Sequence, residues 1–483
     1  MITTRSISSV QPAERLPRSI CLALCIRFKT TSSTPRDISK CHMSSPSTEY
    51  ALHANNSITS FTPLMRPLSP FGQQLGVATG IGELMDDLGA ALSNKSDDLC
   101  MLGGGQPAYI PKAAKLFQEH ALNALASPEQ LHSIMGEYDP AEGNQEFCQS
   151  FAEMMNESFG WEISAENVGI SSGGQSACFH LFNALVGAGE HILIPLLPDY
   201  MGYRDQLVSG AQFLGIHGIP HRDANSFKYR LNLEAVQSAP DSTRLMALSR
   251  PTNPSGNVLS DEEVEALSDE CLRRNIPLLI DHAYGAPFPN AVYVPTQNIW
   301  KPHHIHIYSL SKLGLPGSRT SIIVAAPDII HLMRNMTAVT SLANPSLGQS
   351  IVLPLIQQRT LLPLCLETIL PFYRQKRDHA ISTLNRLLYD RVDYAIHAAE
   401  GAFFLWIWFP SLPITSRELT SILKKRGVLA ISGHWFFFGS HDRPAHHDQC
   451  LRITYSMNPN VIEKGLQILA DTILELHDEN PSN

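Results

Sequence analysis

Between about residues 110 and 340 short apolar runs recur, and stretches with helical spacing separate them. Residues 167–170, 192–196, 245–249, 277–280 and 305–308 are runs of roughly five residues, the length of a buried strand. The stretch Ala177-Cys178-Phe179-His180-Leu181-Phe182-Asn183-Ala184-Leu185 repeats its apolar positions at helical intervals. Strands that alternate with helices predict βαβ units and a mainly parallel sheet covered by helices. From about residue 351 the pattern changes. Residues 351–359 and 371–388 read as helices, 403–408 and 451–455 as strands, and 461–476 as a last helix. The expectation is therefore an α/β fold whose mainly parallel central sheet occupies residues 110–350, plus a smaller α+β domain at 351–480. Residues 66–109 are expected to form an N-terminal arm and part of that smaller domain. Two lobes closing on one ligand would exclude water from chemistry between them.

Composition changes this picture at the front of the chain. The 483 residues exceed one compact core, and 43% apolar with 17% charged residues is ordinary for a soluble enzyme. The whole chain carries −9, but residues 1–48 hold seven Lys/Arg against Glu14 and Asp37, together with sixteen Ser/Thr. That segment carries +5, which leaves −14 for the rest. Basic, hydroxyl-rich and acid-poor is the composition of an organelle transit peptide, so residues 1–65 are expected to be an extension directing import to mitochondrion or plastid. Translation from Met43 would instead leave a cytoplasmic protein. The acidic balance offers nothing to nucleic acid, and no apolar stretch approaches the ~18 residues of a membrane span. Nine scattered cysteines lack a Cys-x-x-Cys pair, which argues against zinc and against a disulfide framework. The adjacent pairs His303-His304 and His446-His447 point to opposite faces of a strand, and both pairs are expected on the solvated surface.

The candidate chemistry sits where the apolar runs end. Ser309-Leu310-Ser311-Lys312 is followed by Gly314-Leu315-Pro316-Gly317-Ser318-Arg319. A lysine held at a strand's end and partly desolvated is suited to form a Schiff base with an aldehyde. Ser309, Ser311 and Arg319 beside it would bind that aldehyde's phosphate. Ser172-Gly173-Gly174-Gln175 opens the helical run after residues 167–170, where backbone N–H groups and the helix dipole favour an anion. Tyr200, in Pro198-Asp199-Tyr200, could stack on a flat heterocycle. Prolines on both sides of Asn253, with Gly256 beyond, fix an amide suited to donate to a ring oxygen, which Tyr284 could also reach. Asp281 ends a fully apolar run and needs a partner such as a protonated pyridine nitrogen. Taken singly, these are also ordinary turns, a packed tyrosine, a helix N-cap and a surface lysine. In this order at successive strand ends they describe a pyridoxal 5'-phosphate site.

Gly-Gly-Gln, Pro-x-Tyr, Asn-Pro-Ser-Gly, Asp-x-x-Tyr and Ser-x-Ser-Lys, with the later arginines, together resemble the fold-type I, class I/II pyridoxal-phosphate-dependent aminotransferases. The likeness runs from about residue 71 to about residue 477 and is closest over 102–108, 249–254, 281–289, 309–319 and 401–406. It implies ping-pong transamination, with Lys312 as Schiff-base lysine and proton shuttle and Asp281 on the pyridine nitrogen. It implies Asn253 and Tyr284 at the ring oxygen, Tyr200 on the ring face, and Gly174, Gln175, Ser309, Ser311 and Arg319 at the phosphate. Tyr138 matches a tyrosine that reaches the phosphate of a partner subunit, implying a homodimer. Arg452 matches the substrate carboxylate clamp, though alone it reads as a plain strand arginine, and Gly105 matches backbone lying over that carboxylate. The implied substrates are amino acids and 2-oxo acids, namely L-valine and similar aliphatic donors with pyruvate, giving 3-methyl-2-oxobutanoate and L-alanine. An apolar group of Phe403, Phe404, Trp406 and Phe436 is consistent with an aliphatic side chain.

Two departures stand out. Gly174 replaces the Ser or Thr of many relatives, and the aromatic segment 435–439 is expected to alter the pocket wall. Other members of the same class share these motifs: broad alanine or aromatic aminotransferases and C–S β-lyases. A cofactor-binding transcription regulator would need a basic helix-turn-helix in front, and residues 1–65 are too Ser/Thr-rich and aperiodic for one.

Overall fold

The computed structural model describes residues 99–479 continuously, with scattered positions between 68 and 89. The expected extension at residues 1–65 lies outside the described residues.

The apolar runs pair into one seven-stranded sheet. Its spatial order is Val168–Ser171, Ser321–Val324, His304–Ser309, Leu278–Asp281, Thr243–Ser249, His191–Leu197 and Gln212–His217. The last five in that order run parallel, and Ser321–Val324 lies antiparallel to both its neighbours. Successive side chains of a strand face opposite ways, so one strand feeds two cores. Leu245 and Ala247 pack with the helices Gly174–Leu185 and Pro327–Thr340, while Met246 and Leu248 pack with the helix Asp261–Arg274. Each fully buried Leu or Ile there contributes about 1.5–3 kcal/mol. Because both faces are dry, polar residues appear at the strands' C-terminal ends, and the site is built on that edge.

A second sheet has six strands in the order Ile431–Ser432, Cys450–Thr454, Phe404–Trp408, Ala395–His397, Ser226–Arg230 and Ile219–Asp223. The hairpin 219–230 falls within the span that the sequence pattern assigns to the first sheet, yet it pairs with Ala395–His397. At the front, Cys100–Met101 pairs in parallel with Val428–Leu429, and Leu102 accepts a hydrogen bond from the main chain of Thr454. The helices Leu370–Leu388 and Pro459–Glu479 cover this part, two to three residues longer at some ends than their apolar spacing predicts.

The expectation of surface histidines fails for one member of each pair. His304 opens a central strand at 1% exposure, and its Nε2 lies 2.8 Å from Ser268 Oγ. His447 stacks on Phe437 with ring centroids 3.8 Å apart. Burial pushes both imidazoles down to about 3, so they are neutral core groups. His303 precedes the strand that His304 opens, and His446 and His447 share one 3-10 turn in which the half-buried His446 meets the Tyr229 hydroxyl, so strand alternation governs neither pair. No helix among the described residues is long and apolar enough to cross a membrane.

Candidate active site

Asp281 is the last residue of the apolar strand Leu278–Asp281 and is almost wholly buried. Its Oδ1 accepts the main-chain N–H of Ala283 at 2.8 Å, and its Oδ2 accepts the Tyr203 hydroxyl at 2.7 Å. Burial raises its pKa; the two donors and the charge of Lys312 oppose that rise. Two neutral donors do not balance a buried carboxylate, and a cation is wanted beside it.

Lys312 comes from the next strand, His304–Ser309, which runs straight into the single helical turn Leu310–Leu313. Protein encloses the side chain, which opens only on a cavity, and Nζ donates to Gly105 O at 2.5 Å. Burial, then the charges of Arg452 and Arg319, lower its pKa to about 8, with Asp281 pulling the other way. At pH 7 roughly a tenth is therefore free amine, far more than an ordinary lysine offers. A Cβ on Gly105 would stand 3.5 Å from this amine and 3.4 Å from Tyr284 Oη, so a larger residue there would crowd both.

Beyond Lys312 donors converge on one spot. The helix Gly174–Leu185 presents its first N–H groups, which have no partner within the helix. Gly173, which precedes it, has φ +92°, and a Cβ there would fall 2.2 Å from Arg319 Nη2. Only a glycine lets the guanidinium lie against this helix start. Arg319 Nη1 also donates to Ser311 Oγ at 3.3 Å, and the Ser311 main chain donates to Ser309 Oγ at 3.2 Å. The Gln175 side chain is committed elsewhere: its Nε2 donates to Gly202 O at 2.8 Å, and its Oε1 accepts from Tyr200 Oη at 3.3 Å. Gln175 therefore offers an anion its main-chain N–H. Tyr200, held edge-on against Tyr203 with centroids 5.1 Å apart, lines the cavity.

Across the cavity stands Arg452, from the strand Cys450–Thr454, at 1% exposure. Nη1 donates to Asn253 Oδ1 at 2.8 Å and Nη2 to Gly103 O at 2.5 Å. The Phe404 ring lies 4.2 Å and the Phe436 ring 5.2 Å from its guanidinium carbon. Burial brings its pKa down to about 10, so it remains a cation at neutral pH. Among the described residues no carboxylate forms an ion pair with it. Asn253 spends its oxygen on Arg452, which leaves its amide hydrogens as donors.

Twelve of the thirteen residues singled out in the sequence line this one cavity of about 360 Å³: Gly105, Gly174, Gln175, Tyr200, Asn253, Asp281, Tyr284, Ser309, Ser311, Lys312, Arg319 and Arg452. Tyr138 does not; it is 78% exposed on the surface. The cavity thus contains a carboxylate short of a cation, a cation short of an anion, a partly neutral amine and an anion cradle. None of the four aromatic residues expected to face an aliphatic ligand lines the cavity, though Phe404 and Phe436 pack on the Arg452 guanidinium. Phe403, Trp406 and Phe436 are fully buried core, with Phe436 edge-on to Trp406. The apolar wall is Ile81, Met85, Pro107 and Met201, of which only Pro107 falls in a stretch, 102–108, that the sequence marks. Tyr203 was also missed. Its signal was a second tyrosine three residues after Tyr200, and its partner Asp281 is 78 residues away.

Residues 100–469 match the family model for aminotransferase class I and II. The chain is 38% identical over 411 residues to a valine–pyruvate aminotransferase of Escherichia coli (strain K12), an alignment covering 84% of this chain and 97% of that protein. The crystal structure of valine-pyruvate aminotransferase from Salmonella typhimurium LT2 superposes with a TM-score of 0.76 at 38% identity, covering 83% of this chain and all of that one. A putative amino-acid aminotransferase from Psychrobacter arcticum 273-4 superposes with a TM-score of 0.82 at 36% identity, covering 86% of this chain and all of that one.

Proposed function

The chain belongs to the class I and II aminotransferases, which depend on pyridoxal phosphate, and from that premise we propose that it transfers the amino group of L-valine and similar aliphatic amino acids to pyruvate, giving 3-methyl-2-oxobutanoate and L-alanine. One observation carries the choice of substrate. The cavity pairs a buried guanidinium, Arg452, with an apolar wall of Ile81, Met85, Pro107 and Met201. That suits a ligand with one carboxylate and an aliphatic side chain. Arg319, the other arginine lining the cavity among the described residues, is drawn to the anion cradle, so a second substrate carboxylate would lack a partner.

The residues fit the cofactor. The cradle at Gly173, Gly174 and Arg319 suits a phosphate dianion, and the uncompensated Asp281 suits a protonated ring nitrogen. Bound there, pyridoxal phosphate supplies an aldehyde that exchanges amino groups and a ring that draws electrons from the substrate's α-carbon. Gly174, Gln175, Ser309, Ser311 and Arg319 would hold the phosphate, Tyr200 would cover one ring face, and Asn253 and Tyr284 would donate to the ring oxygen. Arg452 binds the substrate carboxylate, with Phe404 and Phe436 keeping water from the pair. Lys312 Nζ takes the α-proton and returns it, which its lowered pKa near 8 allows at neutral pH. One cavity serves both half-reactions, so donor and acceptor bind in turn.

The test is a donor panel with purified protein. With pyruvate as acceptor, L-valine should exceed kynurenine by about tenfold or more in kcat/KM, and cystathionine should yield no comparable elimination. Kynurenine or cystathionine turning over faster than valine would move the protein to another branch of its family.

The same reading includes a homodimer. Tyr138, Met135, Val339 and Leu342 are large side chains left between 58% and 86% exposed. Their segments adjoin, since Asn344 Nδ2 donates to Ala141 O at 2.8 Å. A second copy over this face would cover them and bring each Tyr138 toward the other copy's phosphate. Light scattering should report twice the chain mass; a fully active monomer would exclude this.

A further inference from the structure

Asp199 is a buried carboxylate that the mechanism above does not use. It follows the strand His191–Leu197, is 1% exposed, and pairs with no lysine or arginine among the described residues. Three donors converge on it instead. Oδ1 accepts the main-chain N–H of Tyr200 at 2.6 Å and, in a shorter contact, the Ser249 hydroxyl. Oδ2 accepts the main-chain N–H of Ser249 at 3.1 Å.

Ser249 ends the adjacent strand, Thr243–Ser249. Its hydroxyl hydrogen is spent on Asp199, so its oxygen is left to accept, and the main-chain N–H of Asn253 donates to it at 3.3 Å. Asn253 Oδ1 in turn holds Arg452 Nη1 at 2.8 Å. A second route joins the same ends. The main-chain N–H of Asp199 donates to Phe436 O at 3.1 Å, and the Phe436 ring lies against the Arg452 guanidinium. An ionised carboxylate can only accept, which fixes the direction of every donor along the relay.

We propose that Asp199 is a positioning residue for the carboxylate clamp. Through Ser249 it sets the backbone of Asn253, and Asn253 aims Arg452 at the substrate carboxylate. This rests on the reading of Arg452 as that clamp. The same carboxylate anchors the main chain of Tyr200, so the ring face and the clamp are held from one point.

Charge is central to the relay. Burial pushes Asp199 up to about 7; the donors from Ser249 and Tyr200 oppose the rise, and Asp281 adds to it. The other titratable groups whose balance feels it are Cys178 and Tyr203, neither of them a cation. A protonated Asp199 would offer its own hydrogen to Ser249 Oγ and turn the Ser249 hydroxyl elsewhere, so the relay belongs to the ionised carboxylate, above about 7.

The test uses the full-length holoenzyme and two probes. One is 2-aminoisobutyrate; the other is tert-butylamine, with a methyl group in place of the carboxylate, and neither has an α-hydrogen to lose. Binding of each is read from the absorbance of the bound cofactor. Asp199→Asn and Ser249→Ala should each weaken 2-aminoisobutyrate by about tenfold, and the double variant by no more than either. Ser249→Thr, which keeps the hydroxyl, should bind as wild type does, and tert-butylamine should stay within about twofold throughout. Unchanged affinity for 2-aminoisobutyrate, or equal losses for both probes, would overturn the inference. If Asp199→Asn fails to fold, Ser249→Ala and Ser249→Thr decide the matter. Arg452→Gln is the separate control: if it too leaves 2-aminoisobutyrate unaffected, the clamp assignment itself has failed.

Discussion

Lys312→Ala should lose multiple-turnover transamination by on the order of 10⁴-fold or more, because it removes both the group that engages the cofactor and the group that moves the α-proton. No neighbour can take over. The other cations lining the cavity among the described residues are Arg319 and Arg452, and a guanidinium does not give up its proton near neutrality. The variant should still fold, since Nζ makes one hydrogen bond, to Gly105 O, and the cradle formed by Gly173, Gly174 and Arg319 is untouched. Borohydride reduction followed by peptide mapping checks the assignment independently. In the wild type it should fix the cofactor to the peptide carrying Lys312, and in the variant to nothing. Retained steady-state turnover, or a label on another amine, would refute it.

Asp281→Asn should lower kcat by on the order of 10³-fold, about 4 kcal/mol at 1.36 kcal/mol per decade. The substitution keeps the side chain's shape, so what it tests is the charge. Without that charge the ring nitrogen loses what keeps it protonated, and electron withdrawal from the α-carbon fails with it. Because burial raises the Asp281 carboxyl above its ordinary range, the charge is also lost early on acidification. Below that raised value the carboxyl is neutral, so cofactor affinity should fall as pH falls. The dissociation constant of pyridoxal phosphate, measured as pH is lowered, should rise more steeply in the wild type than in the variant, where the Lys312 amine and the cofactor phosphate still titrate but this carboxyl does not. A wild-type profile no steeper than the variant's, or a variant within about threefold of wild-type kcat, would show that the charge is not needed.

Much of the chemistry was legible because the first sheet is dry on both faces. The inner runs of Thr243–Ser249 and Leu278–Asp281 are wholly apolar, so Ser249 and Asp281 stand out, whereas Ser309 ends a strand that also carries the buried His304 and His306. What could not be read depends on partners distant in the chain. The pairing of Tyr203 with Asp281 spans 78 residues, and that of Asp199 with Ser249 spans 50. The hairpin 219–230 carries a weak apolar pattern, with all five residues of Ile219–Asp223 exposed, so nothing in it announces which sheet it joins. The aromatic segment at 435–438 looked like pocket wall because aromatic residues suit both roles, and packing with Trp406, Phe213 and His447 decided for the core.

That hairpin has a bearing on how the protein could be cut. Its strand Ser226–Arg230 gains a second neighbour only when Ala395–His397, made some 170 residues later, lies beside it. At the front, Cys100–Met101 waits still longer for Val428–Leu429. A gene severed near codon 350 would therefore yield two pieces with raw sheet margins, each carrying strands whose mates are on the other. Expression and engineering should treat the described span as indivisible.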